Sequence, residues 1–170
     1  NIIGQNGVSV CADATTIDGT SLTSTSVRCI ARDKQGGMWV GTFFAGVCYY
    51  NPRKNHFVNI QNIPGVNSLS NNIIGCIAEA SHHNLWIGTN GGLHHYNPKT
   101  HHFDLLTTAN GLLSNDIKAM YIDQKNNVMY VGTQLGGMAI VNLSNHSIRS
   151  VRMKSNVADD NSIYDIYPLG

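Results

Sequence analysis

"NNIIGCIAEASHHNLWIGTNGGLHHYNP", residues 71–98, carries an apolar stretch into a polar break, then Leu-Trp-Ile-Gly-Thr, a double glycine and an aromatic before Asn-Pro. It reads as short strands joined by tight turns. Nearly the same phrase stands on both sides of it. The preceding copy is "VRCIARDKQGGMWVGTFFAGVCYYNPRKNHFVNI", residues 27–60. The following copy is "IKAMYIDQKNNVMYVGTQLGGMAIVNLSNHSIRSV", residues 117–151. Gly41, Gly88 and Gly132 fall in register, preceded by Trp39, Trp86 and Tyr130 in one column. Asn51-Pro52 and Asn97-Pro98 share another, with Asn142-Leu143 as its weaker copy. Leu22-Thr23, Leu69-Ser70 and Leu113-Ser114 lead into the units.

Each unit divides into four strands. The first is Val27–Arg32, Ile74–Glu79 or Ile117–Asp123, whose apolar spacing breaks strict alternation and predicts burial on both faces. The second is Met38–Thr42, Leu85–Thr89 or Met129–Thr133. The third is Val47–Tyr50, Leu93–Tyr96 or Met138–Val141. The fourth covers His56–Ile60, His102–Leu106 and Ser147–Val151. A four-stranded unit of this length with a Gly and aromatic signature predicts an all-β fold, a β-propeller of antiparallel blades. A twisted sheet buried on both faces needs a sheet on either side, and radial stacking supplies them. Expected boundaries are 1–21 for the end of one blade, 22–68, 69–112 and 113–157 for three whole blades, and 158–170 for the first strand of the next. Four blades' worth of chain, opening on Asn1, is expected to be part of a larger, seven-bladed ring.

Composition narrows the function. Charged residues make up only 12% of the 170, and net charge is +1. Nucleic-acid binding needs clustered Lys or Arg, so it is not expected. No apolar run approaches the ~20 residues of a membrane span, so this segment is expected to make no direct membrane contact. The 20 Asn and 17 Gly mark a turn-rich chain. Cys11, Cys29, Cys48 and Cys76 form no C-x-x-C pair. Cys29 and Cys76 share one repeat position and are expected to be free and buried. The pairs His82-His83, His94-His95 and His101-His102 do not predict a metal site. Adjacent strand residues point to opposite faces, and the other pairs sit at turns. Asp33 and Asp123 read as turn formers. No nucleophile elbow, zinc-protease helix or phosphate loop is present. Neither catalytic residues nor a cofactor are expected.

The phrase I-x-x-D-x-x-G-x-x-W-x-G-T…G-G-[LV]-x-x-[YF] resembles the two-component regulator propeller repeat. The first copy supplies Ile30, Asp33, Gly36, Trp39, Gly41, Thr42, Gly46 and Tyr49. The second supplies Ile77, Trp86, Gly88, Thr89, Gly91, Gly92, Leu93 and Tyr96, with Ala80 at the Asp position. The third has Met120, Asp123, Tyr130, Gly132, Thr133, Gly136 and Gly137. "GLLSNDI", residues 111–117, fits the same family. The resemblance implies a periplasmic sensor domain of a hybrid two-component system from Bacteroides-type bacteria. Its parent would be an inner-membrane protein carrying a histidine kinase, and its ligand an oligosaccharide. Other partners would be neighbouring blades or another copy of the propeller.

On this reading the loops from second to third strands share one rim with the inter-blade loops. That rim would carry Phe43, Phe44, Asn90, Gln134 and Leu135, aromatics and amides suited to a neutral glycan. Two alternatives remain: a propeller lyase similar to the streptogramin lyases, which share the Gly-x-x-Trp step, and a scaffold that binds proteins through its rim. The lyases require a central His, and no His falls in the predicted first strands.

Overall fold

The computed structural model describes residues 2–3, 9–10, 22, 24–53, 56–152, 154 and 161–168. Three four-stranded antiparallel sheets follow one another along the chain. The first blade is β3 (Val27–Arg32), β4 (Met38–Thr42), β5 (Val47–Asn51) and β6 (His56–Ile60). The second is β7 (Ile74–Glu79), β8 (Leu85–Thr89), β9 (Gly92–Asn97) and β10 (His102–Leu106). The third is β11 (Ile117–Asp123), β12 (Val128–Thr133), β13 (Gly137–Asn142) and β14 (Ile148–Val151). Each pairs in simple up-and-down order. Ahead of them β1 (Ile2–Ile3) pairs antiparallel with β2 (Ser9–Val10).

The predicted first strands match the observed ones, and the other predicted bounds differ by at most a residue or two. The blades stack face to face: β7 packs on β3 and β4, and β11 packs on β7 and β8. Every residue of β8 is buried. Strand alternation sends Leu85 and Ile87 into the core shared with the first blade, beside Trp39 and Ile74. Trp86 goes the other way, into the core shared with Ile117, Met129 and Val131.

The same devices recur in every blade. The first and second strands slip register at Val27/Cys29, Ile74/Cys76 and Ile117/Ala119, so Arg28, Gly75 and Lys118 are bulge residues. Thr42, Thr89 and Thr133 each donate their hydroxyl to the carbonyl of the glycine at the entry to the next strand, Gly46, Gly92 and Gly137, at 2.9 Å. Asn51, Asn97 and Asn142 each accept a backbone N–H two residues on, forming the same side-chain turn between third and fourth strands.

Four expectations need correction. Burial of both faces holds for β7 and β11, whose Ile74 and Ile117 are fully buried. It fails for β3, where Val27 is 40% and Ile30 64% exposed, because no sheet packs on that side among the described residues. The buried lead-in leucine of the third unit is Leu112, not Leu113, which is 42% exposed. Leu112 stands five residues before Ile117 as Leu69 stands before Ile74. Within 158–170 the described residues 161–168 form no strand, although Ile163 N–H donates to Thr133 O at 3.0 Å. Cys29 and Cys76 are free but only partly buried. Cys11 lies outside the described residues.

Candidate ligand-binding rim

The second-to-third-strand loops and the inter-blade loops do meet at one end of the stack. Gly46 N–H donates to Asn72 O at 3.0 Å, and Gln61 Nε2 donates to Ala45 O at 3.1 Å. Phe43, Asn90 and Gln134 hold equivalent places in successive blades. Their backbone N–H groups donate to Ser26 O, Ile73 O and Asp116 O at 2.9, 3.1 and 2.9 Å. Ser24, Asn71 and Ser114 accept from the N–H two residues on, which sets the path of each inter-blade loop into its first strand.

Phe43 and Phe44 form an edge-to-face pair, ring centroids 4.3 Å apart. Phe44 is 66% exposed. The Arg28 guanidinium carbon stands 4.6 Å over the Phe43 ring, placed there by the bulge. Asn90 Oδ1 is buried without a hydrogen-bond partner. Leu135 is half exposed and takes a left-handed conformation, φ 61°. Its N–H donates to Ser162 Oγ at 3.1 Å. No described contact joins the phenylalanine pair to Asn90, Gln134 or Leu135. Beside them Lys118 Nζ lies 2.8 Å from Asp116 Oδ1.

The aspartates are turn formers. Asp33 Oδ1 accepts from Gln35 N–H at 3.0 Å and Gly37 N–H at 2.6 Å. Asp123 Oδ1 accepts from Asn126 N–H at 3.1 Å. His94 and His95 point apart, as strand geometry requires. His94 is 1% exposed, and its Nε2 accepts from Ser70 N–H at 3.0 Å. His95 lies against Trp86, centroids 4.6 Å apart. Among the described residues no three His, Cys, Asp or Glu side chains converge as a metal would require.

One feature lies at the opposite rim, where the sequence reading placed nothing. A cavity of about 250 Å³ opens between the first and second blades, lined by Asp33, Trp39, Tyr49, Glu79, His83 and Tyr96 among others. Its signal in the sequence was the coincidence of Asp33 with Glu79, which no other pair of adjacent units repeats.

Residues 21–44 and 68–91 match the family model of the two-component regulator propeller. Comparison with curated proteins finds no match. Among solved structures, the extracellular domain of a B. thetaiotaomicron protein described as a hybrid two-component system superposes with a TM-score of 0.73. It is 22% identical, over 85% of this chain and 20% of that one. A second such domain from B. thetaiotaomicron gives 0.59 at 21% identity, over 71% and 17%. The WD40 repeats of RRP9 give 0.53 at 11% identity, over 74% and 38%. The chain thus spans about a fifth of the length of the two B. thetaiotaomicron domains. Among the described residues no helix is long and apolar enough to cross a membrane. The matched segments each run from an inter-blade lead-in through the Trp-x-Gly-Thr strand, so residues 21–44 and 68–91 are similar to two-component regulator propeller repeats, and the sheets they open are blades of a β-propeller.

Proposed function

We propose that the chain is a ligand-sensing segment of the extracytoplasmic propeller of a hybrid two-component system. The observation that carries this reading is the in-register pair of regulator-propeller repeats. The likeness in fold to two bacterial extracellular domains supports it. The parent on this reading is an inner-membrane protein with a periplasmic sensor, and its histidine kinase lies outside these 170 residues. The propeller binds and does not catalyse. Ligand would shift the ectodomain between two arrangements and so bias the kinase.

The ligand on this reading is an oligosaccharide held at the rim of Phe43, Phe44, Asn90, Gln134 and Leu135. Exposed Phe44 offers a flat apolar face for the C–H side of a sugar ring. Asn90 and Gln134 bring amides to the equivalent loop positions of the next two blades, and Phe44 is 66% exposed. Calorimetric titration of the intact protein against a panel of neutral oligosaccharides tests this. The paired Phe43→Ala and Phe44→Ala substitutions should weaken binding about tenfold or more, the order of one lost aromatic contact. Unchanged affinity would remove this rim from consideration. Sequencing the gene beyond Gly170 tests the wider reading: further blades, one apolar span and a kinase module are expected.

A further inference from the structure

The cavity between the first and second blades is built differently from the rest of the molecule. Trp39 and Tyr49 are cross-strand partners, stacked with centroids 4.2 Å apart. Tyr96 of the next blade meets Trp39 edge-on, 6.4 Å away at 77°. The three rings make an apolar corner. Two carboxylates stand beside it. Asp33 is held in the β3–β4 turn and receives the Tyr49 hydroxyl. A Cβ at Gly37 would fall 2.6 Å from Tyr49 Cε2 and 2.7 Å from Asp33 Oδ2, so only glycine there lets the two meet. Glu79 bridges the blades: its Oε2 accepts from Lys34 N–H of the first blade at 3.0 Å. Its Oε1 lies 3.0 Å from His83 Nδ1, and Gln35 Nε2 stands against the same imidazole, 2.6 Å from Nδ1 and 3.0 Å from Nε2.

Among the described lining residues none is Lys or Arg. The cation felt at Tyr49 is Arg53, exposed on the β5–β6 turn. Burial and the charges of Asp33 and Glu79 outweigh it, pushing the Tyr49 phenol up to about 12. Asp33 and Glu79 carry the carboxylates among the described lining residues, so negative charge stands at the ring corner. The next interface gives an internal comparison. There the places of Asp33 and Glu79 are taken by Ala80 and Ile122, and that of Tyr96 by Val141. His146 packs on Trp86 at 5.1 Å. The carboxylate pair belongs to one interface alone among the three described blades.

We infer that the Trp39–Tyr49–Tyr96 corner, flanked by Asp33 and Glu79, is a binding site for a small organic cation of the alkylammonium class. Trp39 and Tyr96 are buried, stacked on Tyr49 and Phe103, so the partly exposed Tyr49 ring is the electron-rich surface a cation would meet, and the buried Asp33 carboxylate beside it fixes the charge. A neutral sugar would gain from the rings and not from the carboxylate charge. The site lies at the opposite end of the blades from Phe43 and Phe44, so it stands or falls independently of the glycan reading.

The test is calorimetric titration of the intact protein with choline and with its uncharged isostere, carbon in place of nitrogen. Choline is expected to bind about tenfold or more tightly than the isostere. Glu79→Gln keeps an oxygen for Lys34 N–H and removes the charge; it should cut choline affinity by about the same factor with the melting temperature little changed. Trp39→Phe, which keeps a ring, should weaken choline binding less. Equal binding of choline and isostere, no saturable choline binding, or full affinity in a folded Glu79→Gln protein would each overturn the proposal. So would competition between choline and a neutral oligosaccharide that binds the Glu79→Gln protein undiminished.

Discussion

Ile117 of the third blade fills the space that Gly88 leaves open in the second. A Cβ at Gly88 would stand 2.6 Å from Ile117 Cγ2 and 2.7 Å from Cys76 Sγ. Gly41 meets Ile74 in the same way, and Gly132 meets Ile163. The glycine of the Trp-x-Gly-Thr step is therefore a socket for the first strand of the following blade. Gly88→Ala should cost about 1–3 kcal/mol through overpacking. That lowers the melting temperature by about 2–10 °C for a chain of this size. Ile117→Ala removes the Cγ2 that the new Cβ would meet, so the double variant should be less destabilised than the sum of the two single variants. Simple additivity of the two penalties would show that the socket is not the reason for the glycine.

His94 makes stability depend on pH. Burial pushes its imidazole down from 6.5 to about 4, and Nδ1 has no hydrogen-bond partner. Between those values the unfolded chain binds a proton that the folded chain refuses. Stability is then full above pH 6.5 and falls as pH drops toward 4, by about 3 kcal/mol for a shift of this size. His95 is also lowered, by burial first and then by His146, and adds in the same direction. His94→Gln keeps an acceptor for Ser70 N–H and does not titrate. Urea unfolding of both proteins across this range should show a flatter profile for the variant. Parallel profiles would assign the acid sensitivity to other groups.

The repeat was legible because its signals are backbone necessities: a glycine socket, a threonine clamp and an asparagine turn recur wherever the blade geometry recurs. First-strand bounds could be read to the residue for that reason. Burial of β3 could not be read, since it depends on a neighbouring sheet and not on Val27 or Ile30 themselves. Leu112 and Leu113 are adjacent and chemically alike, so only packing distinguishes them. The rim followed from topology, which fixes where Phe43, Asn90 and Gln134 sit but not how their side chains combine. The inter-blade cavity was hidden because its described walls come from three turns and five strands of two different blades. Aromatic columns in a propeller also read first as core.

Thr89 is the clamp of the second blade. Its hydroxyl donates to Gly92 O at 2.9 Å and accepts from Gly91 N–H at 3.0 Å, and the side chain is fully buried. Thr89→Val keeps the shape and removes the hydroxyl that Gly92 O and the partly buried Gly91 N–H bond to, a loss of about 1–3 kcal/mol. Thr89→Ser keeps the hydroxyl and should lose much less. Thermal melts of the two variants decide this. Equal destabilisation would mean that the methyl group, not the hydrogen bonds, explains the threonine column.

Cys29 and Cys76 occupy one repeat position on successive first strands, and both are free. Burial pushes the Cys29 thiol up to about 11 and raises Cys76 as well, with backbone hydrogen bonds to Gly41 and Gly88 opposing it weakly. The thiolate is the reacting species, so at pH 8 Cys29 should alkylate about two orders of magnitude more slowly than a free cysteine. Unfolding in urea should remove the protection. Peptide mapping after timed iodoacetamide treatment, native and unfolded, measures this at each cysteine. Fast labelling of Cys29 in the native protein would contradict its place beneath Gly41. A Cys29–Cys76 bridge in the unreduced map would require neighbouring first strands to approach within the ~7 Å reach of a disulfide, and so a different stacking of the first two blades.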